Sequence, residues 1–299
     1  MNKVWIIERA HRSGQLCNRL GLFAHFVAYC LENEDVLINF NFGEYASGFQ
    51  NLSLGLITCF PQNKISIPWN GITYRSWQGI NLLLTKSPFS YILAADIQPG
   101  IILTKDCLDL EQPELRSEIE KSTFILCKGW YFRCFKFLKK NAVAVRKFFE
   151  FNRQIESEVL KESIKLRKDV DILVAVHMRL GDYKKHLEGR FYYSPFEYKR
   201  LMQATQEIFQ DKGRIKFIIF SNEKQSSEMF SGLNIHIAHG SAIHDLCLMS
   251  KCDYILGPPS SFSNWASFYG NIPLFYILDP QVLPQAKDFQ VHLPLDMGV

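Results

Sequence analysis

Between residues 172 and 277, short apolar runs alternate regularly with segments patterned as amphipathic helices, and few folds accept such an order. Ile172-Leu173-Val174-Ala175-Val176 is an unbroken apolar run, as expected of a strand covered on both faces in a parallel sheet. Ser194-Pro195-Phe196-Glu197 joins a capping serine, a proline at the first helical position and a glutamate three residues after the cap. A helix is therefore expected from there to about residue 210. Further strands are expected over 215–220, 235–238, 254–256 and 273–277, and helices over 223–230, 242–250 and 262–269. This is the order of a doubly wound α/β domain.

The first half is harder to read. Val4-Trp5-Ile6-Ile7 has the pattern of a buried strand, and Leu16, Leu20, Phe23, Val27 and Cys30 repeat at the spacing of a helix with one apolar face. A strand is expected around 36–40, and one long helix over 141–166 connecting two halves. The chain accordingly divides into an N-terminal α/β domain, 1–150, and a C-terminal domain, 151–299.

Composition narrows the function classes. A formal charge of +4 over 299 residues is too mild for a nucleic-acid surface but permits an anionic ligand. The eight cysteines are scattered without metal-knuckle spacing and read as small buried hydrophobes, so no metal site is expected. The apolar run at Val4–Ile7 is too short for a signal peptide, and no run of ~20 apolar residues spans a bilayer. The expected location is cytoplasmic, or peripheral to the inner face of a membrane. Most of the 24 phenylalanines are assigned to core packing, with some left to offer flat surfaces to sugars or bases.

Ligands of doubly wound sheets sit beyond the carboxyl ends of the strands, so the polar residues following each strand carry the chemistry. Three such places stand out. In His177-Met178-Arg179-Leu180-Gly181-Asp182-Tyr183 an arginine could clamp a diphosphate through charge-assisted hydrogen bonds, with Gly181 allowing a sharp turn. The plainer alternative is a strand-to-loop turn in which Arg179 pairs with Asp182. In Gly257-Pro258-Pro259-Ser260-Ser261-Phe262 a serine caps a helix whose first amides suit a phosphate, or the segment is a cap and nothing more. In Arg12-Ser13-Gly14-Gln15-Leu16-Cys17-Asn18-Arg19 a loop enters the first helix without the Gly-Lys-Ser/Thr ending of a nucleoside-triphosphate loop. Together the three point to an anionic nucleotide.

The segment His177 to Tyr183 resembles the His-x-Arg-x-Gly-Asp-Tyr motif of bacterial α-1,2-fucosyltransferases and is similar to segments of α-1,6- and protein O-fucosyltransferases. Gly14 to Arg19, Phe220-Ser221-Asn222-Glu223, Asp245 to Ser250 and Ser260 to Ala266 resemble further motifs of that superfamily, in the same order. The resemblance covers the first 30 residues and roughly 170 to 280. It implies a GT-B-like α/β fold of two facing Rossmann-like domains with the donor site in the C-terminal one. The implied activity is inverting, metal-independent transfer of fucose from GDP-fucose to an acceptor hydroxyl, on a glycan, with no cofactor.

In that scheme Arg179 binds the β-phosphate, Asn18 reaches in from the opposite domain as the second catalytic residue, and Gly14 belongs to the donor-binding set. His177 and Asp245 hold guanine, while Gly181, Ser260, Ser261 and Phe262 surround the diphosphate. Many α-1,2 members carry a second arginine where this chain has Leu180. No carboxylate stands out as general base; Asp182, Glu8 and His11 are near, and such residues are more often structural. Other readings are a transferase using another GDP-sugar, a sulfotransferase built on the Arg12-Ser13-Gly14 loop, and a non-catalytic nucleotide-sugar or glycan binder.

Overall fold

In a computed structural model, residues 3–7, 14–52, 58–61, 95–97, 108–113, 124–127 and 132–297 are described. The chain divides into two units, Met1–Asn152 and Arg153–Val299.

The first unit holds strands β1 (Val4–Ile7), β2 (Val36–Asn39), β3 (Thr58–Phe60), β4 (Ala95–Ile97), β5 (Leu108–Asp109), β6 (Phe124–Cys127) and β7 (Phe132–Arg133). Its helices are α1 (Leu16–Asn33), α2 (Phe135–Lys140) and α3 (Ala142–Phe148). The main sheet has the order β3-β2-β1-β6-β4 and is parallel except for β3; β5 and β7 form a small separate pair. Trp5 on β1 is fully buried, donates its indole N–H to Asp35 at 2.9 Å and packs against Phe26 and Tyr29. Helix α1 departs from the one-faced pattern: every residue from Leu20 to Cys30 is buried, which marks a helix enclosed on all sides.

The long helix expected over 141–166 is two helices. α3 stops at Phe148, and α4 (Arg153–Leu166) begins the second unit. The break has a packing cause. Phe149 and Phe151 are fully buried, Phe151 pairs with Phe49 in an antiparallel bridge, and their rings stack at 5.4 Å. Phe23 meets Phe42, Phe148 and Phe149 edge-on in the same cluster. Burying these rings stabilises the unit more than continuing the helix, since each removes about 150–250 Å² from water. These phenylalanines therefore belong to a core.

The second unit matches the expected alternation more closely. Strands β8 (Ile172–Met178), β9 (Ile215–Ser221), β10 (Ile235–Ile237), β11 (Tyr254–Gly257) and β12 (Leu274–Tyr276) form one all-parallel sheet in the order β10-β9-β8-β11-β12. Helices α5 (Pro195–Phe209), α6 (Ala242–Met249) and α7 (Ser261–Gly270) connect them. All seven residues of β8 are buried, as a central strand requires. The Ser194–Glu197 capping box is present with Pro195 in the first turn. The helix expected over 223–230 is a single 3-10 turn, Ser227–Phe230. Ser221 Oγ takes the Glu223 N–H and Ser226 Oγ the Glu228 N–H, so side chains satisfy amides that a helix would have used.

Candidate functional site

From β8 the chain winds outward through β9 to β10, then returns to β11 on the other side of β8 and continues to β12. The winding reverses between β8 and β11, and a crevice opens at the carboxyl ends of such a pair. β8 ends on His177-Met178 and β11 on Gly257. Gly257 is required there, because a Cβ would lie 2.9 Å from the Cβ of His177 and 3.1 Å from its carbonyl oxygen.

Two loops leave these strand ends and are tied together. The buried Tyr183 hydroxyl donates to the Pro259 carbonyl at 2.8 Å, and its pKa is raised, chiefly by burial. Asn222, at the end of the neighbouring β9, holds the first loop from below. Its Oδ1 accepts from the Leu180 N–H at 2.8 Å and its Nδ2 donates to Asp182 Oδ1 at 3.1 Å. A Cβ at Gly181 would stand 3.0 Å from that same amide nitrogen, so the loop closes tightly on Asn222. Leu180, where related motifs carry an arginine, is 2% exposed and packs in the core of the unit.

Within this frame Arg179 pairs with Asp182 at 2.9 Å and lies 5.6 Å from the centroid of the Tyr183 ring. The pair envisaged in the plainer alternative is thus present, yet it does not saturate the guanidinium: the buried Arg179 Nε has no hydrogen-bond partner. His177 is buried, its ring 5.2 Å from that of Phe262, and its Nδ1 also has no partner. Burial, reinforced by the Arg179 charge, pulls the His177 pKa down to about 3, so the imidazole is neutral at neutral pH. Ser260 caps α7, accepting the Phe262 N–H at 3.3 Å, and Ser261 is the first helical residue. An unpaired guanidinium donor, an unpaired imidazole nitrogen and the positive end of a ten-residue helix converge on one place.

Asp245 is in the first turn of α6, which follows β10. Its pKa is raised by burial, opposed by the Gly240 N–H donated to Oδ1 at 3.1 Å and by His244. Among the described residues no hydrogen bond, ion pair or ring contact joins it to His177 or Phe262. β10 lies two strands from β8, roughly 10 Å at the usual strand spacing.

Gly14 and Asn18 belong to the first unit. Gly14 has φ +69°, and a Cβ there would come within 2.0 Å of the Asn18 amide nitrogen, so this turn admits only glycine. The neighbouring Arg19 is consumed locally: Nε donates to the Gly14 carbonyl at 3.0 Å and the guanidinium binds the Asn41 carbonyl at 3.2 Å and the Glu44 carboxylate. Glu8, His11, Arg12 and Ser13 lie outside the described residues. Asp182, the remaining candidate base, is engaged by Arg179 and Asn222.

The loop clamp formed by Asn222 and Tyr183 was not assigned from sequence. Its legible signals were the place of Asn222 at a strand end on the edge that carries the site and the presence of both residues in segments that resemble family motifs. Among the described residues no group of three His, Cys, Asp or Glu could hold a metal ion, and no helix is long and apolar enough to cross a membrane. The described cysteines are free; burial raises the pKa of Cys127, Cys134, Cys247 and Cys252, keeping these thiols protonated.

A family model described as glycosyl transferase family 11 matches residues 102–282, more than half of the chain. No curated protein matches. Among solved structures, a mutant of FUT1 from Arabidopsis thaliana in complex with GDP is similar with a TM-score of 0.54 at 13% identity, over 96% of this chain and 72% of that one. Fucosyltransferase NodZ from Bradyrhizobium is similar with a TM-score of 0.52 at 15% identity, over 93% of this chain and 96% of that one. A NodZ α-1,6-fucosyltransferase structure soaked with GDP-fucose gives 0.50 at 16% identity, over 92% and 95%. At such identities the likeness is one of fold, an α/β fold with parallel sheets. The family match sets aside the sulfotransferase reading of the opening loop.

Proposed function

This chain belongs to glycosyl transferase family 11 and is a glycosyltransferase, and from that premise we propose that it moves fucose from GDP-fucose to a hydroxyl of a carbohydrate acceptor. The observation that carries this reading is the pair of buried, unpartnered nitrogens, Arg179 Nε and His177 Nδ1, beside the capped start of α7. Buried polar nitrogens left unpaired cost stability; a ligand acceptor would satisfy the Arg179 donor, and a ligand donor the His177 nitrogen. One solved structure of similar fold is in complex with GDP and another was soaked with GDP-fucose, and a diphosphate suits an arginine beside a helix N-terminus.

In the proposed reaction the acceptor oxygen attacks the anomeric carbon of fucose. The bond from that carbon to the β-phosphate oxygen breaks, and its electron pair leaves with GDP. The hydroxyl proton passes to a base or to solvent. One in-line displacement inverts the anomeric centre. Arg179, with the first amides of α7 and the Ser260 and Ser261 hydroxyls, stabilises the charge growing on the departing diphosphate. Because a guanidinium does this, a divalent ion is not needed. The neutral His177 ring and the Asp245 carboxylate take the guanine, whose N1–H and amino group seek acceptors. Gly14 and Asn18 are carried into the same proposal by the resemblance of their loop.

A thermal-shift panel tests the donor. GDP and GDP-fucose should raise the melting temperature by a few degrees near saturation, on the order of 2–3 kcal/mol at a hundredfold excess over Kd. UDP and ADP should not. Fucose transfer to a glycan mixture, followed by GDP release, should proceed in the presence of EDTA. Indifference to GDP would sink the proposal, and a strict need for Mn²⁺ or Mg²⁺ would remove its metal-independent mechanism.

A further inference from the structure

The turn from β10 into α6 carries an arrangement that the reaction leaves unused. Glu162 of α4 sets one carboxylate oxygen 3.4 Å from His244 Nε2 and the other 3.7 Å from His236 Nε2. A single side chain thus spans β10 and the first turn of α6. Beyond the far end of α6, Glu156 of the same α4 pairs with Lys251 at 3.1 Å, so α4 fastens this helix at both ends. Next to His244, the Asp245 carboxylate is tethered by one oxygen only. Oδ1 takes the Gly240 N–H at 3.1 Å, while Oδ2 makes no hydrogen bond to a described residue. Gly240 leaves no slack, since a Cβ there would come 2.5 Å from Asp245 Oδ1 and 2.6 Å from His244 Nδ1.

We propose that Glu162 and Gly240 are positioning residues that fix His244 and, through the shared turn, aim the free oxygen of Asp245, so that they set the selectivity of the site for guanine. This rests on the reading that Asp245 holds the base of the donor. The argument is one of preorganisation. A carboxylate discriminates a base only when its oxygen meets the donors in line, and a displacement of about 1 Å forfeits most of that preference. The base is remote from the bond that breaks, so loosening it weakens donor binding in ground and transition states alike.

Calorimetric titration with GDP and with inosine 5′-diphosphate, which lacks the 2-amino group, reads this contact directly. The unaltered protein should favour GDP by about tenfold, the worth of one hydrogen bond to a charged group, and Asp245→Asn should erase the preference. Glu162→Ala and Gly240→Ala should each cut it at least about threefold, with donor KM raised and kcat unchanged. Glu162→Gln, whose amide oxygen still accepts from one imidazole, should keep most of it. Wild-type preference in both Glu162→Ala and Gly240→Ala overturns the inference, and so does an equal loss for the two nucleotides, which would mark mere structural damage. Failure of the unaltered protein to bind GDP refutes the donor reading itself. GDP binding that Asp245→Asn leaves intact refutes only the role of Asp245 and this inference with it.

Discussion

Arg19 and Arg179 occupy comparable places, each in a loop or first turn beyond a strand of a parallel sheet, and they have opposite fates. In the first unit Arg19 spends its donors on two carbonyls and the Glu44 carboxylate, all within the fold. In the second unit Arg179 has one exposed carboxylate partner and a buried Nε with none. A guanidinium tied to the fold by three acceptors is a staple, and one with a buried Nε left unfilled is available to a ligand. Residue type alone does not separate the two; the count of acceptors around each does.

The sharpest way to break this contrast is to remove both side chains in turn. Arg179→Ala should lower turnover by about 10²–10³-fold, the usual cost of losing one group that stabilises a leaving anion, with the melting temperature nearly unchanged. Activity close to normal would show that Arg179 is a staple too. Asn222→Ala, which frees the Leu180 amide and Asp182 together, should reduce kcat/KM about tenfold through a slackened loop; an unaffected kcat/KM would mean that Tyr183 alone holds it.

His177 supplies a smaller, pH-dependent effect. Burial holds its folded pKa near 3, whereas the unfolded chain titrates near about 6.5. Between those values the unfolded state binds a proton that the folded state refuses, so this residue makes stability fall as pH drops from 6.5 towards 3. His177→Asn should therefore show a shallower acid-side decline in urea unfolding than the unaltered protein, and parallel declines would contradict a buried neutral ring. The smallest change is expected for Arg19→Ala. Because its contacts are partly exposed, the loss should be about 1 kcal/mol, read as a lower melting temperature with the GDP-induced shift preserved. Loss of that shift would move Arg19 to the ligand side of the comparison.

Much of the second unit could be read directly. Its strands are continuous apolar runs and its helices start at recognisable caps, features that depend on neighbours along the chain. The departures have two causes, one distant and one local. Residues 149–152 look helical by pattern, yet Phe149 and Phe151 are claimed by rings such as Phe23 and Phe49, far away in sequence. Residues 223–230 fail as a helix because Ser221 and Ser226 take the amides first. In the site, the residue types at 179 and 260 suggested phosphate chemistry on their own, whereas 177 was given to guanine only by the resemblance. The clamp through Asn222 and Tyr183 was not legible, because it depends on which strand ends are neighbours.

The sequence by itself determined the alternation of elements, the caps and the presence of three polar strand ends, since periodicity and capping act over a few residues. Only the tertiary structure decided that β8 and β11 lie side by side, that Gly257 must have no side chain, and that the Nε of Arg179 is buried without a partner where the Nε of Arg19 is taken by the Gly14 carbonyl and its guanidinium by Asn41 and Glu44. Those outcomes depend on hydrogen bonds and contacts between residues some 20 to 80 positions apart, and such pairings are fixed by the packing of the sheet rather than by local pattern.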